Sequence, residues 1–409
     1  MGRTPKSDQP RGSVRGIQEK RSDMTGSKHR VLTGLLALLL LVAASVAISA
    51  CGSSDSSGTA SAETTASEEG DSTGAEASAG SADVTGKSIA FINITRACEA
   101  CVRAEVAFND AASEFGWTVK NIDGQGDPTL IDSQCNTLVV SGVEAIVLQS
   151  VDPEIIGDCL AKAKSADIPV VDQALGGAYN ASYLSKGLTS VSDFNAAVES
   201  GLISEAFFSK LNERINAGEI EGKAKIAVFT GTPSISIHRL RYATFQAFLA
   251  ENKESVEVVN THSTDLTNIQ SDDENTMKSV LTAHPDLAGV WTIQDVEAMP
   301  TVAALQAAGS DAIVTTYFGD KPILENIREN GNIYATVDAP LELLGYETTD
   351  TLARVFSGKK YSVSPSLTLG SDAMPVVYTA ENAPAEGAPV HPVPQIERFK
   401  SAWKTEYGI

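Results

Sequence analysis

The chain has 409 residues, too many for one ordinary hydrophobic core, so two folded lobes are expected beyond any tail. Its 42% hydrophobic and 6% aromatic residues are typical of a soluble globular protein. The formal net charge of −21 argues against nucleic acid as a partner. Phosphate binding requires a clustered basic face, and the folded region of the sequence shows none.

The first 50 residues have the pattern of a secretory signal. Basic residues at Lys28–Arg30 precede an apolar run, Val31–Ala50, which ends in small residues directly before Cys51. This ending resembles the bacterial lipobox, in which the cysteine is lipidated and becomes the new N-terminus. We therefore interpret 1–50 as a signal peptide and Cys51 as the lipidation site. A membrane-spanning helix is the alternative, because about 20 apolar residues can cross a bilayer.

Residues 51–86 are predicted to form a flexible acidic linker. The segment is rich in Ser, Ala, Gly, Thr and Glu and contains no basic residue, so it cannot bury enough apolar surface to fold. With the lipidated cysteine, it would tether an extracytoplasmic protein to the outer face of the cytoplasmic membrane. The sequence leaves open whether translation starts at Met1 or at Met24.

From Lys87 onward, short β-branched runs alternate with segments of helical period. The first unit is predicted to contain strands at Ser88–Asn93, Thr118–Asp123, Ala145–Gln149 and Pro169–Val171. Its helices are predicted at Cys101–Phe115, at Pro128–Ser141 and from Asp152-Pro153 onward. Strict alternation of this kind indicates a doubly wound parallel sheet, in which ligands bind at the carboxyl ends of the strands.

The same alternation then starts again. Strands are predicted at Lys225–Thr230, Val256–His262, Gly289–Thr292 and Ile313–Tyr317, and helices at Asp193–Leu211, after Gly231–Ser234, and at Asn268–Ala283, Met299–Ala308 and Pro322–Asn330. Crossing strands are expected near Tyr183–Thr189 and Ala335–Val337, followed by helices at Leu341–Phe356 and Ile396–Tyr407.

We therefore predict an α/β fold with two doubly wound parallel-sheet lobes joined by a multi-strand hinge. The N-terminal lobe is expected to comprise 87–192 plus 338–366, and the C-terminal lobe 193–337 plus 367–380. Residues 381–409 would form a C-terminal extension.

Four cysteines besides Cys51 allow two disulfides with three possible connectivities. In a sheet ordered 2-1-3-4 the second and third helices lie side by side on one face, and these helices carry Cys135 and Cys159. Topology therefore pairs Cys135 with Cys159, which leaves Cys98 to pair with Cys101.

The Cys98-Glu-Ala-Cys101 segment also supports a competing hypothesis. A Cys-x-x-Cys between a strand and a helix is the placement used by thiol–disulfide oxidoreductases, with Cys98 as the attacking thiolate. The long two-lobe chain that follows instead favours a structural disulfide. The sequence alone leaves the redox state of this pair open.

Several ordered segments between about Lys87 and Thr379 resemble the type 1 periplasmic binding proteins, in particular the ribose-type sugar-binding cluster. The matching segments are Ala145–Asp152, Ile168–Asp172, Gly231–Arg241 followed by Phe245, Leu281–Asp286 and Ala303–Gly309. The resemblance implies capture of a small solute, such as a sugar or polyol, by closure of two lobes. It further implies delivery to a membrane ABC permease, by a monomer without catalytic activity or cofactor.

The resemblance also implies a set of ligand-binding residues, with departures from the family pattern. Cys98 to Cys101 replace the family's first-loop aromatics, and Asp172-Gln173 replaces an Asp-Arg pair. Gln294 stands where asparagine is usual, and the aspartate of the Phe-Asp-Gly turn is either absent or displaced to Asp320. The predicted ligand contacts are Arg96, Glu99, Asp172, Gln173, Arg241, Asn268, Gln294 and Asp320.

Other functions are less well supported by the sequence. It contains no Walker phosphate loop, no His-Glu-x-x-His zinc pattern and no Gly-x-Ser-x-Gly nucleophile elbow. The scattered histidines argue against a histidine metal site. A sensor that presents its ligand to a membrane kinase or chemoreceptor is an alternative, because the same fold serves both roles.

Overall fold

The structure, a computed structural model, describes residues 83–175, 181–362, 375–388 and 394–409. The predicted signal peptide, the lipidation site Cys51 and most of the linker lie outside these ranges. Within them, no helix has both the length and the apolar character needed to span a bilayer.

Strands and helices alternate along the described residues. The strands are β1 Ser88–Asn93, β2 Thr118–Asp123, β3 Ala145–Gln149, β4 Val170–Gln173, β5 Ser190–Ser192, β6 Ala224–Phe229, β7 Val256–His262, β8 Leu287–Thr292, β9 Ile313–Tyr317, β10 Ile333–Asp338 and β11 Val376–Tyr378. The helices are α1 Glu99–Glu114, α2 Pro128–Val139, α3 Gly157–Ser165, α4 Ala181–Ser185, α5 Ala196–Asn216, α6 Ser236–Glu251, α7 Ile269–Ala283, α8 Asp295–Ala308, α9 Lys321–Arg328, α10 Leu341–Phe356 and α11 Gln395–Tyr407.

The first lobe is built on a five-stranded parallel sheet in the order β2-β1-β3-β4-β5. Its central strands are buried on both faces because helices cover both sides. Helix α10 joins this lobe by packing against α1. Gly345 permits the close approach, since a Cβ there would lie 2.4 Å from the backbone nitrogen of Phe108.

The C-terminal helix α11 completes the core of the first lobe. The Trp403 ring stacks on Tyr346 at 5.8 Å and meets the edge of Phe115 at 5.0 Å. Its indole Nε1 donates to Asp350 Oδ1 at 2.8 Å, so the polar atom of this buried side chain is satisfied. The predicted C-terminal extension therefore ends in a helix that is part of this lobe's core.

The second lobe is built on a six-stranded sheet in the order β11-β10-β9-β8-β6-β7, and only the edge strand β11 is antiparallel. The chain passes from the first lobe to the second after β5 and back after β10, crosses again between α10 and β11, and returns to the first lobe between β11 and α11. The connections after β5 and after β10 form the part of the hinge that lies in the described residues. The structure thus has the predicted fold class of two α/β parallel-sheet lobes.

Some predicted elements differ from those observed. The strand predicted at Tyr183–Thr189 is wrong: this stretch includes the end of α4, and the strand is β5, which pairs in parallel with β4 inside the first lobe. The helix predicted to open at Asp152 begins at Gly157, and α8 begins four residues before the predicted Met299. Pro300 lies inside α8.

Both cysteine pairs inferred from the sequence are disulfide-bonded, with Cα–Cα distances of 5.2 Å for Cys98–Cys101 and 5.8 Å for Cys135–Cys159. Cys135 on α2 and Cys159 on α3 are fully buried on one face of the first sheet. This bond joins the second and third helices of the lobe, while the other closes a single turn at the start of α1.

The disulfide between α2 and α3 should stabilise the first lobe more than the Cys98–Cys101 bond. Replacing both cysteines with alanine (Cys135→Ala with Cys159→Ala) is expected to lower the free energy of unfolding by about 3 kcal/mol, because the longer loop gains more entropy when released. Denaturant unfolding measures this loss. The matched control, Cys98→Ala with Cys101→Ala, should lose less; an equal or larger loss in the control would contradict the argument.

Candidate functional site

A cavity lies between the two lobes, where the strands of both sheets end. Ile94, Ser150 and Ala174 directly follow β1, β3 and β4 of the first lobe and line one side. Gln294 and Phe318 follow β8 and β9 of the second lobe and line the other. The cavity therefore occupies the edge at which open α/β sheets bind ligands.

The cavity is almost closed in this structure, with a volume of about 20 Å³, or room for roughly one water molecule. A sugar-sized ligand therefore requires the lobes to move apart. Among the described residues, the lining consists of Ile94, Thr95, Cys98, Ala100, Cys101, Gln149, Ser150, Ala174, Ile235, Ile237, His238, Leu266, Gln294, Phe318 and Leu341.

Three residues of the lining have a backbone conformation that side-chain-bearing residues rarely adopt. Ser150, Ala174 and Phe318 have φ values of 59°, 61° and 91°. Each directly follows the last residue of a strand. Left-handed backbone at non-glycine positions costs roughly 1–2 kcal/mol and tends to persist at functional sites. The strain supports a functional role for this edge of the sheets.

Polar contacts between the lobes hold the cavity shut. Arg239 on α6 donates from its guanidinium to Asp152 Oδ2 of the first lobe at 2.8 Å. Ser236 Oγ, at the start of the same helix, donates to the Leu175 carbonyl oxygen. Both contacts must break when the lobes separate, so they stabilise the closed arrangement.

Three of the sequence-predicted ligand residues are exposed. Arg96 follows β1 and pairs with the buried Glu105 at 3.1 Å. Glu99 Oε1 accepts a long hydrogen bond, 3.5 Å, from the backbone nitrogen of Lys321 in the second lobe. Asn268 precedes α7 and accepts from Ser271 Oγ at 2.7 Å. None of the three lines the cavity.

Arg241 is fully buried, and its charge is used inside the second lobe. Its guanidinium donates to Glu199 Oε2 at 2.8 Å and to the Ile293 carbonyl oxygen at 3.1 Å. It also lies against the aromatic rings of Tyr317 and Phe318, at 4.1 and 4.5 Å. Burial raises the pKa of Glu199 to about 7, although Arg241 opposes the shift. Arg241 packs against Phe318, which lines the cavity, and is not itself a lining residue.

Asp172 and Gln173 form the buried end of β4. Burial, and then the neighbouring Asp193 carboxylate, raise the pKa of Asp172 well above its usual range; the backbone N–H groups of Val151 and Ser150 offset only part of this shift. Gln173 Nε2 donates to Thr348 Oγ1 at 3.0 Å and so fastens β4 to α10. Neither side chain lines the cavity.

Gln294 is the predicted ligand residue that does line the cavity. Its Nε2 donates to Glu297 Oε1 at 3.3 Å, and it lies beside the buried His238. Burial and Arg241 lower the pKa of His238 to about 3, so the imidazole is neutral. Its Nδ1 accepts from the Thr232 backbone nitrogen at 3.1 Å, which leaves the proton on Nε2.

Asp320 belongs to an ion-pair cluster around Arg103, a residue that no sequence motif indicates. Arg103 on α1 reaches Asp320 Oδ1 at 3.5 Å, Asp338 Oδ1 at 3.6 Å and Glu342 Oε1 at 3.0 Å. It also donates to the Phe318 carbonyl oxygen at 3.0 Å. Although burial alone would lower the pKa of Arg103, the carboxylates Glu342 and Asp338 raise it. Arg103 thus connects α1 to the hinge and to the second lobe.

Gln149 and the Cys98–Cys101 disulfide also line the cavity, although neither was among the ligand contacts predicted from the sequence. Gln149, the last residue of β3, is buried, and its side-chain oxygen has no hydrogen-bond partner among the described residues. The Cys98–Cys101 disulfide forms part of the first lobe's wall. Gln149 could have been found from its place at a strand end, directly before Ser150.

One group among the described residues has the composition of a metal site: His262, Asp272 and Asp273. His262 Nε2 lies 2.8 Å from Asp272 Oδ2 and 3.3 Å from Asp273 Oδ1. Asp273 Oδ1 also accepts from Thr264 Oγ1 at 3.0 Å. These hydrogen bonds account for the grouping, which is separate from the cavity lining.

Comparisons with known proteins agree with this geometry. A family model described as a periplasmic binding protein domain matches residues 89–360. The ribose import binding protein of Escherichia coli K12 is 26% identical over 252 residues, which cover 61% of this chain and 78% of that protein. The D-apiose import binding protein of Paraburkholderia graminis is 27% identical over 245 residues, which cover 59% of this chain and 72% of that protein.

Solved structures show the same fold. A solute binding protein of an ABC transporter from Mycobacterium smegmatis, with bound glycerol, superposes with a TM-score of 0.63 at 22% identity. The superposition covers 75% of this chain and 99% of that chain. At this identity the likeness shows the shared two-lobe architecture.

Asp172 provides a test of the electrostatics behind the cavity. Its pKa is raised in the folded state, so unfolding releases a proton wherever the pH lies between the unfolded and the folded pKa, and the stability that this group contributes falls as the pH rises through that range. Asp172→Asn removes this proton release. The stability of the variant relative to the wild type should therefore increase as the pH rises from 4.5, by at most about 1.4 kcal/mol per pH unit.

Denaturant unfolding between pH 4.5 and 7.5 measures the gain, and Asp110→Asn on the exposed face of α1 serves as the control. The stability of Asp172→Asn relative to the wild type should increase more steeply with pH than that of the control. An equal pH dependence for the two variants would contradict the raised pKa.

Proposed function

Because the chain belongs to the periplasmic binding protein domain family, we propose that it is an extracytoplasmic solute-binding protein. It captures a small polar ligand, a sugar or sugar-like molecule, between its two lobes and delivers it to an ABC importer. The observation that carries the proposal is the cavity at the facing strand ends of both sheets. The similar import binding proteins for ribose and for D-apiose support a sugar as the ligand.

Closure supplies the mechanism of capture. A ligand in the cavity touches side chains of both lobes, so it interacts best with the closed arrangement and shifts the population towards it. Contacts such as Arg239–Asp152 form only when the lobes meet. They add to the ligand's own contacts, and they must be weak enough for the importer to reopen the lobes.

The ligand contacts that we propose start from the lining rather than from the family positions. Gln294 and Gln149 would contact the ligand from opposite lobes. Arg96 and Glu99 would act at the exposed mouth of the cleft. Four of the predicted residues are buried and would hold the lining in place: Asp172, Gln173, Arg241 and Asp320. The exposed Asn268 would lie at the margin of the site.

We further propose that the protein is a lipoprotein. Cys51 would carry the lipid, and residues 51–86 would let a monomeric binding domain reorient near its permease. Metabolic labelling with a palmitate analogue, with Cys51→Ala as the control, tests the anchor: labelled wild type and unlabelled variant are expected.

The competing functions gain little from the structure. Thiol–disulfide exchange requires an accessible sulfur, and Cys98 and Cys101 are only 2% and 8% exposed. We therefore propose no catalytic role for this pair. A sensor for a membrane kinase or chemoreceptor would use the same closure, and genes for a permease and an ATPase beside this one would favour import.

Binding should depend on Gln149. Thermal shift with a panel of pentoses, hexoses and polyols would first identify a ligand, and calorimetry would then give its dissociation constant. Gln149→Ala should weaken binding about tenfold or more, because it removes a buried amide available to ligand hydroxyl groups.

Gln306→Ala, on the exposed face of α8, is the matched control and should bind as the wild type does. Unchanged affinity in Gln149→Ala would remove this residue from the site. Failure of every sugar and polyol to shift the melting temperature would contradict the proposed ligand class.

A further inference from the structure

The hydrogen-bonding groups of the cavity are all uncharged. They are the side chains of Thr95, Gln149, Ser150, His238 and Gln294. His238 belongs with the others because its Nδ1 accepts a backbone hydrogen bond and it is deeply buried beside a guanidinium, so it carries no charge. Among the described residues, no Asp, Glu, Lys or Arg side chain lines the cavity.

Two buried charged groups near the cavity, Arg241 and Asp320, have partners within the protein and are not among the lining residues. Arg241 is engaged by Glu199 and the Ile293 carbonyl oxygen, and Asp320 by Arg103. An ionised group that enters the cavity would therefore lose its hydration on closure without gaining an opposite charge from the lining. Burying an unpaired charge is costly, so the cavity selects against charged ligands.

The remaining lining is apolar, and both lobes contribute to it. Ile94 and the Cys98–Cys101 disulfide lie on the first lobe's side, while Ile235, Ile237 and Phe318 lie on the second lobe's side. A ligand hydroxyl group held against this wall would lose its hydrogen bonds to water and find no acceptor. A hydrocarbon surface in the same place would gain from leaving water.

We infer that the ligand is an uncharged amphipathic molecule, with hydrogen-bonding groups along one edge and a hydrocarbon face opposite. This inference rests on the proposed function. A 6-deoxysugar fits this description better than the fully hydroxylated parent sugar does. The parent differs by one hydroxyl group, which the apolar wall cannot satisfy.

Matched sugar pairs test this inference by calorimetry on the purified protein. The pairs are D-fucose with D-galactose, L-rhamnose with L-mannose, and 6-deoxy-D-glucose with D-glucose; D-galacturonate and D-galactosamine form the charged arm. In every pair with a measurable member, the deoxysugar should bind about tenfold tighter than its parent, and the charged sugars should not bind.

A parent sugar that binds as tightly as its deoxy form, or a charged sugar that binds comparably, would overturn the inference while leaving sugar capture intact. Failure of all these sugars, and of the wider panel, to bind would overturn both the inference and the proposed function.

A substitution in the wall gives a second readout that does not depend on overall affinity. Ile237→Thr keeps the branched shape but adds a hydroxyl group that can pair with the parent sugar. In this variant, the ratio of the parent sugar's dissociation constant to that of its deoxy form should fall towards one. Val106→Thr on α1, where Val106 is 49% exposed, is the control and should keep the wild-type ratio. An unchanged ratio in Ile237→Thr would contradict the assignment of the apolar wall.

Discussion

The carboxyl ends of the two sheets face each other, and the rest of the structure depends on this constraint. Parallel strands place all their outgoing loops at one edge, so β1, β3 and β4 deliver their following residues to the same place. The second sheet does the same from the opposite side. Residues far apart in sequence therefore line one cavity, and the hinge decides whether that cavity is open.

The charges around the hinge explain how a strongly acidic chain folds around this cavity. Arg103 gathers Asp320, Asp338 and Glu342, and Arg241 pairs with Glu199. Other carboxyl groups, including Asp172, are buried, and burial raises the pKa of Asp172 well above its usual range, which favours its uncharged form. Ion pairing and raised pKa values both reduce the charge near the cavity, whose own lining side chains are uncharged and largely apolar.

The sequence predicts much of the fold because local signals are strong there. The bounds of β1, β2, β3, β7 and β9 are those expected from runs of β-branched residues between turn-formers. The site was harder to predict. Arg103 has partners more than two hundred positions away along the chain, and no periodic pattern marks such a contact. Arg241 matched a family position, but the sequence could not show that its guanidinium forms an ion pair with Glu199 on another helix.

Small-angle X-ray scattering of the purified protein, with and without the sugar that gives the largest thermal shift, tests the central claim most directly. If the lobes close over a ligand at their facing strand ends, the radius of gyration should fall on binding, and the bound curve should fit the closed arrangement of the two lobes. Superimposable curves for the free and fully bound protein would contradict capture by closure.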